Sequence, residues 1–173
     1  MKLKLFFIFY IFFITQSFVN ANANIVFIDT NFILNSSLVG KSINEQLKNI
    51  DLKNTKSFDK IETNLKLEES KIISQKNVLD VENYTKKVNE FKIKVNKHNI
   101  AKKKAIIELK KKRYDAEEIL KNILGKTLAI YAEKNSISLI ISKESILIGK
   151  KELDITSLII KELNLKTKSI DIK

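Results

Sequence analysis

Twelve basic side chains lie between Lys86 and Arg113, and only Glu90 and Glu108 oppose them. They are Lys86, Lys87, Lys92, Lys94, Lys97, Lys102, Lys103, Lys104, Lys110, Lys111, Lys112 and Arg113. Twelve minus two leaves +10 on this one stretch, against +12 for all 173 residues. Lys2 and Lys4 supply the other two charges, so the remainder is neutral on balance. A compositional preference for Lys would spread charge evenly, and this distribution is not even. The chemistry on offer is long-range attraction of an anionic partner. The plain alternative is a solvated helix face with incidental Lys.

Bond-making chemistry finds no support. Cys is absent, which excludes a disulfide scaffold and cysteine-held zinc. His98 is the only histidine, and no cluster of Cys, Asp or Glu beside it in sequence supplies further ligands. No phosphate-binding loop, GxGxxG, GxSxG or HExxH pattern occurs. Asp29 and Asp154 stand at element ends and read as caps. No catalytic residue, metal or cofactor is therefore expected, and an enzyme is the least supported class.

The charged stretch must sit on a long helix. Val81, Tyr84, Val88, Phe91, Val95, His98, Lys102, Ala105, Leu109, Lys112, Ala116, Ile119, Ile123, Lys126 and Ile130 recur in alternating steps of three and four. That rhythm marks one continuous helix with a stripe built to meet another helix. A weaker stripe precedes it: Leu47, Asp51, Asn54, Phe58, Ile61, Leu65, Glu68 and Ile72. A short break near 77–80 joins the two, and Asp80 can cap the second. Long helices with a short connection become antiparallel neighbours. The expectation is a helical hairpin, about Ser42–Lys76 and Asp80–Lys134. His98, Lys102 and Lys112 on the stripe predict a loose middle, with Leu109, Ile119, Ile123 and Ile130 tightening it toward the base. The absence of Pro and the presence of only three Gly disfavour an all-β chain.

Short apolar runs flank the hairpin. Ile25, Val26, Phe27 and Ile28 predict one strand, and Leu139, Ile140 and Ile141 a second. Ile146, Leu147 and Ile148 predict a third, within Ser145–Gly149. A terminal helix follows Asp154, and 167–173 reads as a frayed tail. The fold class is α+β: a small β-sheet or barrel-like base built from both chain ends (24–47 with 121–165), carrying a long coiled-coil hairpin arm (48–120). Three short strands and two helices make a marginal core for one chain, and free strand edges invite other copies. An oligomerisation base follows from that argument, without a copy number.

The first 23 residues read as a leader. Lys2 and Lys4 precede the apolar run Leu5–Ile14, and Ala21-Asn22-Ala23 offers a small-residue cleavage site at Ala21 and Ala23. The run is short for a membrane span. An exported protein, soluble after cleavage, is expected.

In order, Ile25-Val-Phe-Ile-Asp29, Ser36 with Gly40-Lys41, Tyr84-Thr-Lys-Lys-Val88 with Glu90-Phe91, Leu139-Ile-Ile-Ser-Lys143, Ile146-Leu147 and Leu153-Asp154-Ile-Thr156 resemble the OmpH/Skp family of periplasmic chaperones. The likeness runs from Asn24 to about Asn164, with Ser37 where the family often has Pro. It implies a homotrimer whose barrel-like base carries three helical arms around a cavity. It also implies ATP-independent holding of unfolded outer-membrane β-barrel proteins in the periplasm. The basic arm would then attract clients. Two rival readings stand beside it: a structural coiled coil of the cell envelope, and a protein that docks on an anionic lipid or lipopolysaccharide surface. A nucleic-acid partner is not expected, since export removes it and no aromatic–basic stacking platform is present.

Overall fold

The computed structural model describes residues 23–172; the leader reading falls outside them except for Ala23. Strand β1 (Ile25–Ile28) enters helix α1 (Thr30–Ser36), and helix α2 (Leu38–Ser74) follows almost at once. Helix α3 (Val81–Lys134) returns, strand β2 (Leu139–Ser142) follows it, and helix α4 (Thr156–Lys166) ends the regular structure. Two single turns of 3-10 helix, Lys143–Ser145 and Lys151–Leu153, lie between β2 and α4.

Local chemistry sets the boundaries. The Asp29 carboxylate accepts from the Phe32 amide at 2.8 Å and starts α1. Ser37 is buried; its amide donates to Ile33 O at 3.0 Å, and its Oγ accepts from the Gly40 amide at 3.1 Å. One residue thus closes α1 and opens α2, four residues ahead of the expected Ser42. Gly40 is required there: a Cβ would come within 1.7 Å of Leu34 O. Asp80 caps α3 through the Asn83 amide at 2.8 Å, and its carboxyl is held below the ordinary range by that bond and by the Asn83 side chain. Past α3, Ser136 adopts a left-handed φ of 51°, and the Ile137 amide returns to Ala132 O at 2.9 Å.

β1 and β2 pair in parallel, Ile25 with Leu139 through Ile28 with Ser142. Parallel pairing follows from a crossover made of two long helices rather than a turn. The other edge of β1 is met by the chain entering α4: Phe27 bridges Asp154, and the Ile155 amide donates to Phe27 O at 3.0 Å. Asp154 accepts from the Thr156 amide at 2.9 Å and from the Thr156 hydroxyl, but it lies one residue ahead of the N-cap, which is Ile155, so the expected cap is corrected to a local turn bond.

The core gathers residues from far apart in the chain. Ile33, Val39, Leu47, Leu120, Ile159 and Leu163 are its most deeply buried apolar side chains. Each contributes about 1.5–3 kcal/mol relative to leaving it in water.

Three further expectations need correction. Ser145–Gly149 is not a strand. Ile146 closes onto Lys143 O at 3.1 Å, while Leu147 and Ile148 are 102% and 95% exposed. A turn of 3-10 helix at Lys143–Ser145 directly follows β2 in place of a hairpin turn, and among the described residues the segment pairs with neither strand. The stripe on α3 holds through Ala116 but then moves on by one residue. Leu120, Leu124 and Thr127 are buried, whereas Ile119, Lys126 and Ile130 are exposed. A straight helix drifts against a seven-residue repeat, and near the base α3 packs on α1 and α4 as well as α2. Finally, residues 167–172 lie against the base instead of fraying. Gln46 donates to Ile170 O at 2.8 Å and accepts from the Ile172 amide at 3.1 Å, with both Ile side chains packed on the core.

Candidate interaction surface

Beyond the base, side chains of α2 and α3 meet at several points. Lys87 donates to Gln75 at 2.8 Å, Lys94 pairs with Glu68 at 2.6 Å, and His98 and Lys102 both reach Glu62, at 3.2 and 2.8 Å. At 1.5 Å per residue the 54 residues of α3 extend about 80 Å.

The polar residues on the seam are cross-linked. His98 is buried, its ring packs edge-on against Phe58 at 5.6 Å, and Nε2 faces Glu62. Its Nδ1 is buried without a partner. The Lys102 bond, followed by the His98 bond, lowers the Glu62 carboxyl below its ordinary value, and Glu62 raises Lys102 in turn. Toward the base, small Ala105 leaves a groove of about 360 Å³, bounded by Asn54, Phe58, Lys102 and Leu109.

Sequence reasoning missed Glu62. Phe58 and Leu65 are seven apart, and either Ile61 or Glu62 could stand between them. The structure turns Glu62 inward and leaves Ile61 40% exposed. The available signal was charge: a carboxylate suits a position facing His98 and Lys102. Likewise Ile50 is inward where Asp51 was expected.

The twelve basic residues divide. Lys87, Lys94 and Lys102 turn toward α2, and Lys112 is half-buried on the seam. Lys86, Lys92, Lys97, Lys103, Lys104, Lys110, Lys111 and Arg113 are exposed. Among the described residues only Lys104 of these eight approaches a carboxylate, Glu108 at 3.9 Å. Such an exposed pair is weak. The expected base residues also divide: Val26, Phe27 and Ile28 are buried, Ile140, Ile141 and Ile146 half-buried, and Ile25, Leu139, Leu147 and Ile148 exposed. Among the described residues no His, Cys, Asp and Glu group into a metal-holding cluster, and no helix is long and apolar enough to cross a membrane.

Long helices, one of them strongly basic, joined to a small two-stranded sheet define the class of architecture to which this chain belongs. The chain belongs to the family of outer membrane proteins described as OmpH-like, matching it over residues 24–163. Its fold is similar to that of an OmpH-like protein from Caulobacter crescentus CB15, provisionally described as an outer membrane chaperone. The TM-score is 0.82 at 17% identity, covering 87% of this chain and 89% of that one. No curated protein matches the sequence.

Proposed function

We propose that this protein is an exported, ATP-independent holdase that keeps unfolded outer-membrane β-barrel proteins from aggregating in the periplasm. The observation that carries the reading is the set of eight exposed cations between Lys86 and Arg113 that are not engaged with α2, on a helix 54 residues long. An anionic unfolded chain is drawn to such a surface by long-range potential, and many weak contacts then retain it without imposing a structure. Release needs no nucleotide when folding into the membrane is more favourable than staying bound. In this reading α2 and α3 form an antiparallel coiled-coil hairpin arm. Three copies join at their bases, where Leu147, Ile148, Leu139 and Ile25 supply exposed apolar surface. The resulting homotrimer surrounds its client with three arms.

The test is light scattering of a urea-unfolded outer-membrane protein diluted with or without the exported protein, alongside its mass in solution. Suppressed scattering and a mass of three chains are expected. A structural coiled coil of the envelope would leave the scattering unchanged and would refute the proposal.

A further inference from the structure

The face of α3 turned away from α2 carries an apolar ridge. Ile93, Ile100, Ile107 and Tyr114 follow one another at intervals of seven and are 55%, 62%, 67% and 63% exposed. At 3.6 residues per turn they lie about halfway round the helix from the seam of Val95, His98 and Ala105. This is the most solvated column of a two-helix packing, where polar residues are expected. Rails of Lys flank the ridge on both sides. Lys97, Lys104 and Lys111 follow its members by four residues, and Lys103 and Lys110 follow Ile100 and Ile107 by three. None of the α3 carboxylates falls on these two rails between Ile93 and Tyr114.

We infer that this ridge is the track on which the arm holds its client, and that it fits one extended polypeptide segment bearing apolar and acidic side chains. The inference rests on the holdase reading and assigns it a face. Charge complementarity selects the acidic side chains, since the ridge is apolar and both rails are cationic. Width selects a single chain. The ridge is one residue across, whereas a helix that lies in a bilayer surface buries a broad apolar face. Length fits too: from Ile93 to Tyr114 the ridge runs about 32 Å at 1.5 Å per residue. An extended segment of about 9–10 residues covers it at 3.3 Å per residue, close to the 9–11 residues of a membrane-spanning β-strand. Ridge residues recur every 10.5 Å or so, and same-face residues of a strand about every 6.8 Å. Few contacts coincide in any one register, so the segment can slide, and affinity depends on composition more than on sequence.

The test uses protein exported with its own leader and the triple variant Ile93→Gln/Ile100→Gln/Ile107→Gln. All three sites are exposed, so helix content and mass are expected to stay unchanged. Affinity for an unfolded, fluorescently labelled outer-membrane protein is expected to fall about tenfold or more, as for loss of three partly covered apolar side chains. Replacing the same residues by Leu is expected to keep it. A ten-residue peptide alternating Val and Glu should compete for the wild type, and one alternating Val and Lys should not. Equal affinity of wild type and the Gln variant overturns the ridge while leaving the holdase reading standing. Failure of the wild type to hold the client overturns that reading itself. Loss of binding to vesicles containing phosphatidylglycerol, with client affinity intact, makes the ridge a lipid face instead. A change of mass makes it a contact between copies. Either result refutes the proposal.

Discussion

Gly40→Ala and Gly125→Ala are the same chemical change with opposite expected signs. At Gly40 an added Cβ would lie 1.7 Å from Leu34 O and 2.8 Å from Leu34 C. Real contacts of this kind essentially never fall below 3.0 Å, so α1 and α2 must separate by at least 3.0 − 1.7, or 1.3 Å. The obstacle is backbone and cannot rotate away. Separation strains the Ser37 cap between the helices and loosens Ile33 and Val39, both fully buried. Overpacking costs about 1–3 kcal/mol, and partial exposure of two core side chains costs about 1–2 kcal/mol more. The helix preference for Ala offsets about 1 kcal/mol, which leaves a net loss of about 1–4 kcal/mol. Gly125 lies inside α3, with nothing within 4 Å of its added Cβ. There only the helix preference acts, and a gain of up to about 1 kcal/mol is expected. The assay is urea unfolding followed by helix circular dichroism, at one fixed protein concentration because assembly shifts the midpoint. With a slope near the middle of the usual range, about 2 kcal/mol per molar, Gly40→Ala should lower the midpoint by about 0.5–2 M. A Gly40→Ala midpoint equal to wild type would refute the close approach of α1 and α2 on which the base depends.

Three further outcomes are expected. The Glu62 carboxyl is lowered by Lys102 and then His98, so its stabilisation is complete above the ordinary carboxylate range and is lost as pH falls through the lowered folded value. Hydrogen-exchange protection along 58–68, measured against the intrinsic amide rate at each pH, should therefore fall at acid pH, and Glu62→Gln should remove much of that pH dependence; an identical profile in the variant refutes the bridge. Lys97→Gln/Lys104→Gln/Lys111→Gln should slow client capture several-fold at low salt and little at high salt. Lys94→Gln should chiefly loosen the α2–α3 contact, and stopped-flow fluorescence with hydrogen exchange separates the two effects. Leu147→Asp/Ile148→Asp should lower the mass in solution without changing helix content; an unchanged mass removes these side chains from the interface between copies.

The long-range plan was legible because a seven-residue repeat is redundant: many positions vote for the same helix. The caps Asp29 and Asp80 were legible as well, since each does local chemistry with an amide three residues away. What escaped depends on partners outside the local window. Ile61 and Glu62 compete for one place on the stripe, and only the side chains opposite decide between them. Below Ala116, the choice of Leu120 over Ile119 is made by α1 and α4, helices distant in sequence. Ser145–Gly149 has the composition of a strand, but a 3-10 turn at Lys143–Ser145 follows β2 in place of a hairpin turn, and the segment joins no ladder among the described residues. Gln46 gave no sign of binding the tail, because an amide can mimic a strand edge wherever backbone approaches it. The basic cluster was visible at once. Its division into bridging and free cations needed the position of α2.

Ile33 and Val39 near the front of the molecule are sealed by Ile159 and Leu163 near its back, with the full out-and-back excursion of α2 and α3 intervening. A chain made N-terminus first therefore cannot complete its hydrophobic centre until almost the last residue has been added. Neighbouring turns let α2 and α3 zip early, at small loop-closure cost, and that zipper then delivers β1 to β2. Products truncated before α4 would carry the long helices without a finished hydrophobic centre, so near-complete synthesis is the condition for closing it.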